Sequence, residues 1–428
     1  MKYLMNLIWC LALVVLLPKL LYRRFRFGRY KTGWAQRFGN VARRNPQKKC
    51  IWLHAVSVGE VNATKTLISG LRQRLSDYEL VMSVTTDTGF AQAIKLYGDE
   101  MAVFYYPYDF SWVVTKALGR INPAAIILME LEVWPNMAQA ARHMGIPIIV
   151  ANGRLSEKSL PKYRMIKWLT RRMFSDCSAI LVQTKEYAGR FIELGAPVGI
   201  VKVTGSLKYD TAEIVDTLPG ADVIQKKLSI GPEPLWVAGG TGDGEEAIIL
   251  KSFAFVRKVV PSLRLAIVPR KPERFNDVAQ LIERSGFEFV RYSQVKNDES
   301  AVRNPKSEII LVDTMGDLRK FYSLASVIFV GRSLVPMGGS DMIEAAALGK
   351  PTIFGPHTFN FSQDTEMLLA AGGAILVRAE SDLSMWTSHL LISPKVASDV
   401  AAHGRDVIRS NQGATARTIE DIARLATR

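Results

Sequence analysis

Short apolar runs rich in Val and Ile recur along the chain, separated by amphipathic stretches. Six stand in the first half, "CIWLHAV", "ELVMSVTT", "AVFYYP", "AAIILME", "PIIVANG" and "AILVQT", and five in the second, "LWVAGG", "LRLAIVP", "EIILVDT", "VIFVG" and "PTIFG". Each run is nearly continuous rather than alternating, as expected of strands buried on both faces of a parallel sheet. Helical spacing fills the intervals, for instance over residues 60–75 and 341–348. Strand and helix in alternation, twice over, predict an α/β chain of two doubly wound domains.

The two series are separated by residues 216–234, "DTLPGADVIQKKLSIGPEP", a Pro- and Gly-rich stretch without a buried-strand run. The predicted organisation is an anchor and basic arm over residues 1–32, a first domain over 33–215, a linker over 216–234 and a second domain over 235–428. The last helix is placed so that it can pack back on the first domain. Two such domains are expected to face each other across a cleft, with ligands at the carboxyl ends of the strands.

Charge changes the picture at the N-terminus. The chain carries a formal +15, and its first 59 residues hold twelve Lys or Arg and no Asp or Glu. Residues 3–17, "YLMNLIWCLALVVLL", form an apolar run, followed by "PKLLYRRFRFGRYK", in which cations alternate with aromatics. The run is shorter than the ~20 residues of a spanning helix unless Pro18 and a snorkelling Lys19 are counted. No small-residue cleavage site follows, which favours an uncleaved membrane anchor over a removed signal peptide, and the cations after it predict a cytoplasmic location for the rest. Cys10, Cys50 and Cys177 have neither disulfide nor zinc spacing.

The strand ends of the first half hold the candidate chemistry. After "IWLHAV" comes "SVGE", where Ser57 and Glu60 have the spacing of a capping box, with Glu60 reaching back to the Ser57 N–H. The same carboxylate is placed to act as a general base, and His54 adds a polar group to that strand. Gly59 is not required by a capping box, whereas close approach of a substrate to the backbone requires it. Glu130 and Glu132 follow "AAIILM", Glu130 being either a surface acid paired with a cation or a functional group. Lys208, in "VTGSLKYD", is either a solvated loop lysine or a point charge for a developing anion.

In the second half, "LRLAIVPRKPERF" displays Pro269, Arg270, Lys271 and Arg274 on a stiff turn. In "LVDTMGDLRKFY", Asp317 has the position of a helix cap. "FVGRSLVPMGGSDMIEAAALGKP" predicts a helix N-terminus after Gly338-Gly339, suited to a phosphate, with Glu344 in its first turn within reach of a ribose diol. The chain has no P-loop motif, no G-x-G-x-x-G and no D-x-D triplet, and its five His residues show no metal-ligand spacing. The consistent reading is a metal-free site, without a cofactor, that neutralises phosphate with cations and a helix dipole.

Taken together, "SVGE", "ELEVWPN", "NGRLSEKS", "GSLKYD", "VPRKPERF", "DTMGDL" and "GGSDMIEAAALGKP" resemble, in order and over nearly the whole chain, the lipopolysaccharide 3-deoxy-D-manno-octulosonic acid (Kdo) transferases. The resemblance implies a GT-B glycosyltransferase of two Rossmann-like domains, with the acceptor on the first and the donor on the second. It implies an inverting, metal-independent transfer from CMP-Kdo to a lipid A precursor at the cytoplasmic face of the inner membrane, with no nucleic acid partner. By the same resemblance Glu60 is the proton acceptor, and Glu130 and Lys208 stabilise the transition state. The CMP contacts would be Pro269 and Arg270; Met315, Gly316 and Asp317; and Asp341, Met342, Ile343 and Glu344. Ser340-Asp341 stands where the family commonly has His-Asn, Asp317 replaces a Glu, and Gly242-Asp243 replaces His-Glu. The alternatives are another GT-B enzyme acting on a UDP sugar, as a glycosyltransferase or an epimerase, and a membrane or nucleic-acid scaffold that uses the basic arm alone.

Overall fold

The computed structural model describes residues 2–27, 32–296 and 307–427. The chain divides into two compact units, one of Met1–Thr211 with Gln412–Arg428 and one of Ala212–Asn411.

The first unit is built on a seven-stranded sheet, β1 (Lys49–Ala55), β2 (Tyr78–Val84), β3 (Ala102–Tyr105), β4 (Ala125–Met129), β5 (Ile148–Gly153), β6 (Ala179–Val182) and β7 (Val201–Val203). Its order is β3-β2-β1-β4-β5-β6-β7, every pairing parallel. The apolar runs are continuous because helices cover both faces. Trp52, Ile126 and Ile148 point to one core, and Ile51, Leu53 and Ile127 to the other, all fully buried. Each such side chain contributes about 1.5–3 kcal/mol on burial. The helix Ala414–Ala426 belongs to this unit, packing on Lys65–Arg74, where Ile422 and Ala423 join the second of these cores.

The second unit holds another parallel seven-stranded sheet, β8 (Leu235–Thr241), β9 (Arg264–Pro269), β10 (Phe289–Arg291), β11 (Ile309–Leu311), β12 (Val327–Val330), β13 (Thr352–Phe354) and β14 (Ile375–Leu376). Its order is β10-β11-β9-β8-β12-β13-β14. Strands β7, β10 and β14 are absent from the apolar runs of the sequence. They are edge strands of two or three residues with partly exposed side chains, too short to leave a pattern. Residues 216–234 include the helix Ala221–Lys227 and belong to the second unit.

Two helices differ from their expected span. The stretch expected over residues 60–75 runs as Val58–Ala63 and Lys65–Arg74, interrupted at Thr64, whose buried hydroxyl bonds back to the Val61 carbonyl at 2.7 Å. The stretch over 341–348 is a five-residue helix, Ile343–Ala347. The N-terminal helix covers Lys2–Phe27 and packs against the helices Ser111–Ile121 and Pro135–His143. Among the described residues no helix is long and apolar enough to cross a membrane. Residues 28–31 of the basic arm lie outside the described residues.

Candidate active site

Because the first sheet is wholly parallel, the ends of β1, β4 and β5 and the chain after β7 open on the same side. Glu60 stands in the first turn of Val58–Ala63, directly after β1. Ser57 caps that helix, its hydroxyl oxygen accepting from the Glu60 N–H at 3.5 Å. The return arm of the capping box is shifted by one residue. The Glu60 carboxylate accepts from the Val56 N–H at 2.9 Å and from the Ser57 hydroxyl at 3.1 Å rather than from the Ser57 N–H. Partial burial, opposed by the Val56 bond and reinforced by the charges of Glu130 and Glu132, raises its pKa to about 7.

Glu130, directly after β4, has a left-handed backbone, φ 58°, a conformation costing a non-glycine residue about 1–2 kcal/mol. Its N–H is held by the Ala151 carbonyl at 2.9 Å, which fixes the strand end against β5. Burial raises the Glu130 pKa, and the charges of Arg154 and Lys208 oppose that rise. Glu132 is raised by burial and by Glu130, and accepts from Trp134 Nε1 at 3.2 Å. Lys208 sits on the helical turn Leu207–Thr211 rather than in a loose loop. Asn152, itself at φ 57°, accepts from the Leu207 N–H at 3.1 Å, and Asp210 accepts from the Gly413 N–H at 2.6 Å and from the Thr415 N–H.

Glu60, Glu130, Glu132, Arg154 and Lys208 therefore form one electrostatic group. Three carboxylates face two cations, and the environment pushes the acids apart in role. Glu60, raised chiefly by burial and further by the other carboxylates, titrates near neutrality. Glu130 has Arg154 and Lys208 to favour its ionised form. Arg154 lies in "NGRLSEKS", directly past β5, and its sequence context alone carries no sign of the pairing.

His54 is a correction. Its ring is fully buried, stacked on Tyr106 with centroids 3.8 Å apart, and Nδ1 lies 3.1 Å from the Ser83 carbonyl. Nδ1 also lies 3.0 Å from the Ser83 hydroxyl, and burial lowers the pKa to about 3. His54 is a neutral core residue that cross-links β1 to β2. Gly59 has an ordinary backbone, and a Cβ added to it would meet only the Ser57 hydroxyl at 3.8 Å. Nothing in the fold itself requires glycine there.

In the second unit, Pro269 ends β9 and is buried, while Arg270 is exposed and makes no ion pair among the described residues. Arg274 is consumed by Glu246, at 2.6 and 3.0 Å, and Asp243, at 3.1 Å. This bonding also explains how the added acid at Asp243 is tolerated. The buried Tyr322 hydroxyl, whose pKa is raised by burial, lies in the fields of Glu344, Asp341 and Arg270. Arg319 Nε stands 3.9 Å from Glu344.

Other expectations for this unit are corrected. Asp317 makes no side-chain cap of Leu318–Leu324. Its buried carboxylate accepts from Lys296 at 2.7 Å, Thr314 at 2.8 Å and Lys320 at 3.4 Å, leaving Met315 and Gly316 as the exposed members of that segment. Met342 and Ile343 are core residues, almost wholly buried, main chain included. The helix they open is too short for a dipole-based phosphate site, and the Ile343 N–H is already bonded by Asp341 at 2.9 Å. Gly338 and Gly339 both have positive φ, and a Cβ on Gly338 would lie 2.2 Å from the Asn360 amide. The loop itself thus demands the glycine pair.

Glu245, unremarked in the sequence, organises the neighbouring loop. It is fully buried, and its Oε1 accepts from the Ser333 N–H at 2.7 Å and the Leu334 N–H at 2.9 Å. Its Oε2 accepts from the Gly242 N–H at 2.9 Å and the Arg332 N–H at 2.5 Å. The acid pair after β8 in "GGTGDGEE" was the available signal. Among the described residues no cluster of three or more His, Cys, Asp or Glu has the geometry to hold a metal ion.

Two parallel α/β units of this kind are the architecture of GT-B proteins. The fold is similar to UDP-GlcNAc 2-epimerase from Neisseria meningitidis, with a TM-score of 0.58 at 15% identity over 88% of this chain and 100% of that one. It is equally similar to a glycosyltransferase from Rickettsia africae, with a TM-score of 0.58 at 11% identity over 89% and 99%. The sequence narrows the class. Residues 32–211 match the model of the 3-deoxy-D-manno-octulosonic-acid transferase (kdotransferase) family. The chain is 34% identical over 394 residues to 3-deoxy-D-manno-octulosonic acid transferase of Haemophilus influenzae, covering 92% of this chain and 91% of the relative. It is 31% identical over 430 residues to the enzyme of the same name from Bordetella pertussis, covering 96% and 97%. The chain belongs to the 3-deoxy-D-manno-octulosonic acid transferase family, and is thus a glycosyltransferase.

Proposed function

We propose that this protein transfers Kdo from CMP-Kdo to a hydroxyl of a lipid A precursor, with inversion and without a metal ion. The observation that carries the reading, in a chain of this family, is a carboxylate of pKa about 7 at the end of β1, grouped with Glu130, Arg154 and Lys208. A hydroxyl nucleophile needs a base that is ionised at neutral pH yet still basic, and Glu60 meets both conditions. In the reaction the acceptor oxygen bonds to the anomeric carbon of Kdo while its proton passes to Glu60. The bond from that carbon to the phosphate oxygen breaks, and CMP leaves with the electron pair. Lys208 supplies positive charge as the phosphate leaves, an interaction stronger in the transition state than in the ground state. Glu130, in the field of Lys208, contributes its own charge to the developing cation at the sugar. On the donor side the outward groups are Arg270, Met315, Gly316, Asp341 and Glu344, while Pro269, Met342 and Ile343 are their buried neighbours and Asp317 holds its turn through bonds to Lys296 and Thr314.

The N-terminal helix, in this proposal, lies in the interface of the cytoplasmic leaflet of the inner membrane. Tyr3, Leu7, Leu11, Val14 and Val15 are exposed apolar side chains on a helix followed by an acid-free basic segment, a composition that suits anionic lipid.

Purified protein incubated with CMP-Kdo and a lipid A precursor in detergent tests the reaction. Transfer by the wild type, reduced about a hundredfold or more in Lys208→Ala, is the expected result. Turnover of a UDP sugar in place of CMP-Kdo would overturn it. Gly59 supplies a separate check. Because the fold leaves space for a Cβ, Gly59→Ala is expected to keep or raise stability, by up to about 1 kcal/mol of helix propensity, with Tm unchanged or higher, while raising KM for the acceptor. Unchanged acceptor kinetics would remove the close approach of substrate to that backbone.

A further inference from the structure

The apolar N-terminal helix reads in the sequence as a tether, and a tether makes no specific polar contacts with the body it carries. This helix makes several. Met5 is buried, and Asn6 Oδ1 accepts from the Ser111 N–H at 3.0 Å and from Asn136 Nδ2 at 3.3 Å, while Asn6 Nδ2 donates to the Ser111 hydroxyl at 2.8 Å. Trp9 Nε1 donates to Asp109 Oδ2 at 3.3 Å, and its ring packs on that of Trp134 with centroids 5.6 Å apart.

These contacts fall on one structural need. The helix Pro135–His143 begins after Trp134, which has no side-chain acceptor to cap it. Its first free N–H groups are met from elsewhere in the chain, Asp109 accepting from Asn136 at 3.0 Å and from Met137 at 2.8 Å. Asp109 is buried, and burial, opposed by these N–H bonds and by Trp9, raises its pKa to about 7. The same turn contains "ELEVWPN", in which Trp134 Nε1 donates to Glu132, the neighbour of Glu130 in the candidate site.

We infer that the N-terminal helix is a wall of the acceptor side of the active site, with Trp9 and Asn6 as positioning residues that hold the Asp109 cap and Trp134, and through them the Glu130–Glu132 strand end. The inference rests on the transfer reaction proposed above. The outward face of the helix, Leu11, Val14 and Val15, is chemically distinct from this docking face, so binding to lipid and assembly of the site are separable by mutation.

The test uses the full chain, CMP-Kdo and a detergent-dispersed lipid A precursor, with flotation on vesicles of phosphatidylethanolamine and phosphatidylglycerol as the second readout. Trp9→Ala and Asn6→Ala are each expected to lower kcat/KM for the acceptor about tenfold, chiefly through KM, with KM for CMP-Kdo within twofold of wild type and flotation retained. Trp9→Phe, which keeps the ring and removes the N–H, is expected to recover part of the loss. Val14→Ser with Val15→Ser is expected to do the reverse, weakening flotation while leaving transfer in detergent intact. Transfer by Trp9→Ala and Asn6→Ala within twofold of wild type would overturn the inference and leave the helix a tether. If Trp9→Ala fails to melt cooperatively, Asn6→Ala decides alone. Wild-type turnover in the same assay tests the parent reaction independently, so the two failures are distinguishable.

Discussion

Glu60→Gln is expected to lower kcat by about 10²–10⁴-fold, the usual range for removal of a general base, with KM for CMP-Kdo little changed. The amide oxygen can still accept from the Val56 N–H, so the helix start survives the substitution. The pH dependence is the sharper measurement. With a pKa of about 7, wild-type kcat/KM should fall about tenfold per pH unit below neutrality, because only the ionised carboxylate accepts a proton. Stability should move in the opposite direction. The folded pKa lies above the ~4.5 of an unfolded glutamate, so folding favours the protonated form. The stability linked to that form is fully present below pH ~4.5 and lost as pH rises through ~7. At pH 8 Glu60→Gln should therefore be as stable as wild type or more so, by about 1–2 kcal/mol once partial exposure is allowed for. An inactive and destabilised Glu60→Gln would instead make Glu60 a structural cap. Activity retained within tenfold would remove it as the base.

The second large effect is structural. Glu245→Ala removes the acceptor of four backbone N–H groups, those of Gly242, Arg332, Ser333 and Leu334, in a fully buried position. Each unsatisfied N–H costs about 1–3 kcal/mol, and with water entering the cavity the sum should settle near 3–5 kcal/mol. For a unit of this size that corresponds to a fall in Tm of roughly 6–20 °C. Burial raises the pKa of Glu245 despite its four donors, so the carboxylate itself is held at a cost; removing it is nevertheless harmful, because its partners stay buried. Glu245→Gln should recover only part of the loss. Both carboxylate oxygens accept two bonds, and the amide nitrogen would set donors against one of the two N–H pairs. Thermal melts of the three proteins, with KM for CMP-Kdo as a measure of the 332–334 loop, check the prediction. A fall below about 1 kcal/mol for Glu245→Ala would show that the loop holds without it.

The contrast between Glu60 and Glu245 marks what could be read from the chain. Glu60 is legible because a strand, a cap residue and a carboxylate fall within one short segment, and local spacing suffices to place them. Glu130 and Lys208 are legible as polar residues after apolar runs, since a parallel sheet puts every such position on one edge. Arg154 and Glu245 are not, because their partners are far away in sequence. The Glu245 contacts at 332–334 lie almost ninety residues on. His54 was misread for a related reason. The sequence places it in β1, but only the register against Ser83 and the stacked Tyr106 ring show its polar atoms turned inward. The glycine pair at 338–339 has a motif's appearance and a packing cause, the approach of Asn360.

By itself, then, the sequence determined the alternation of strand and helix, the two parallel sheets, the family and the strand-end positions where chemistry can occur. These depend on hydrophobic periodicity and on local turn chemistry, which act over a few residues. The tertiary structure alone decided which carboxylate titrates near neutrality, which cations stand beside Glu130, that Asp317 is bound from beneath by lysines, and that the N-terminal helix docks through Trp9 on Asp109. Those properties arise from desolvation and from charges brought together across the fold, and both act through space rather than along the chain.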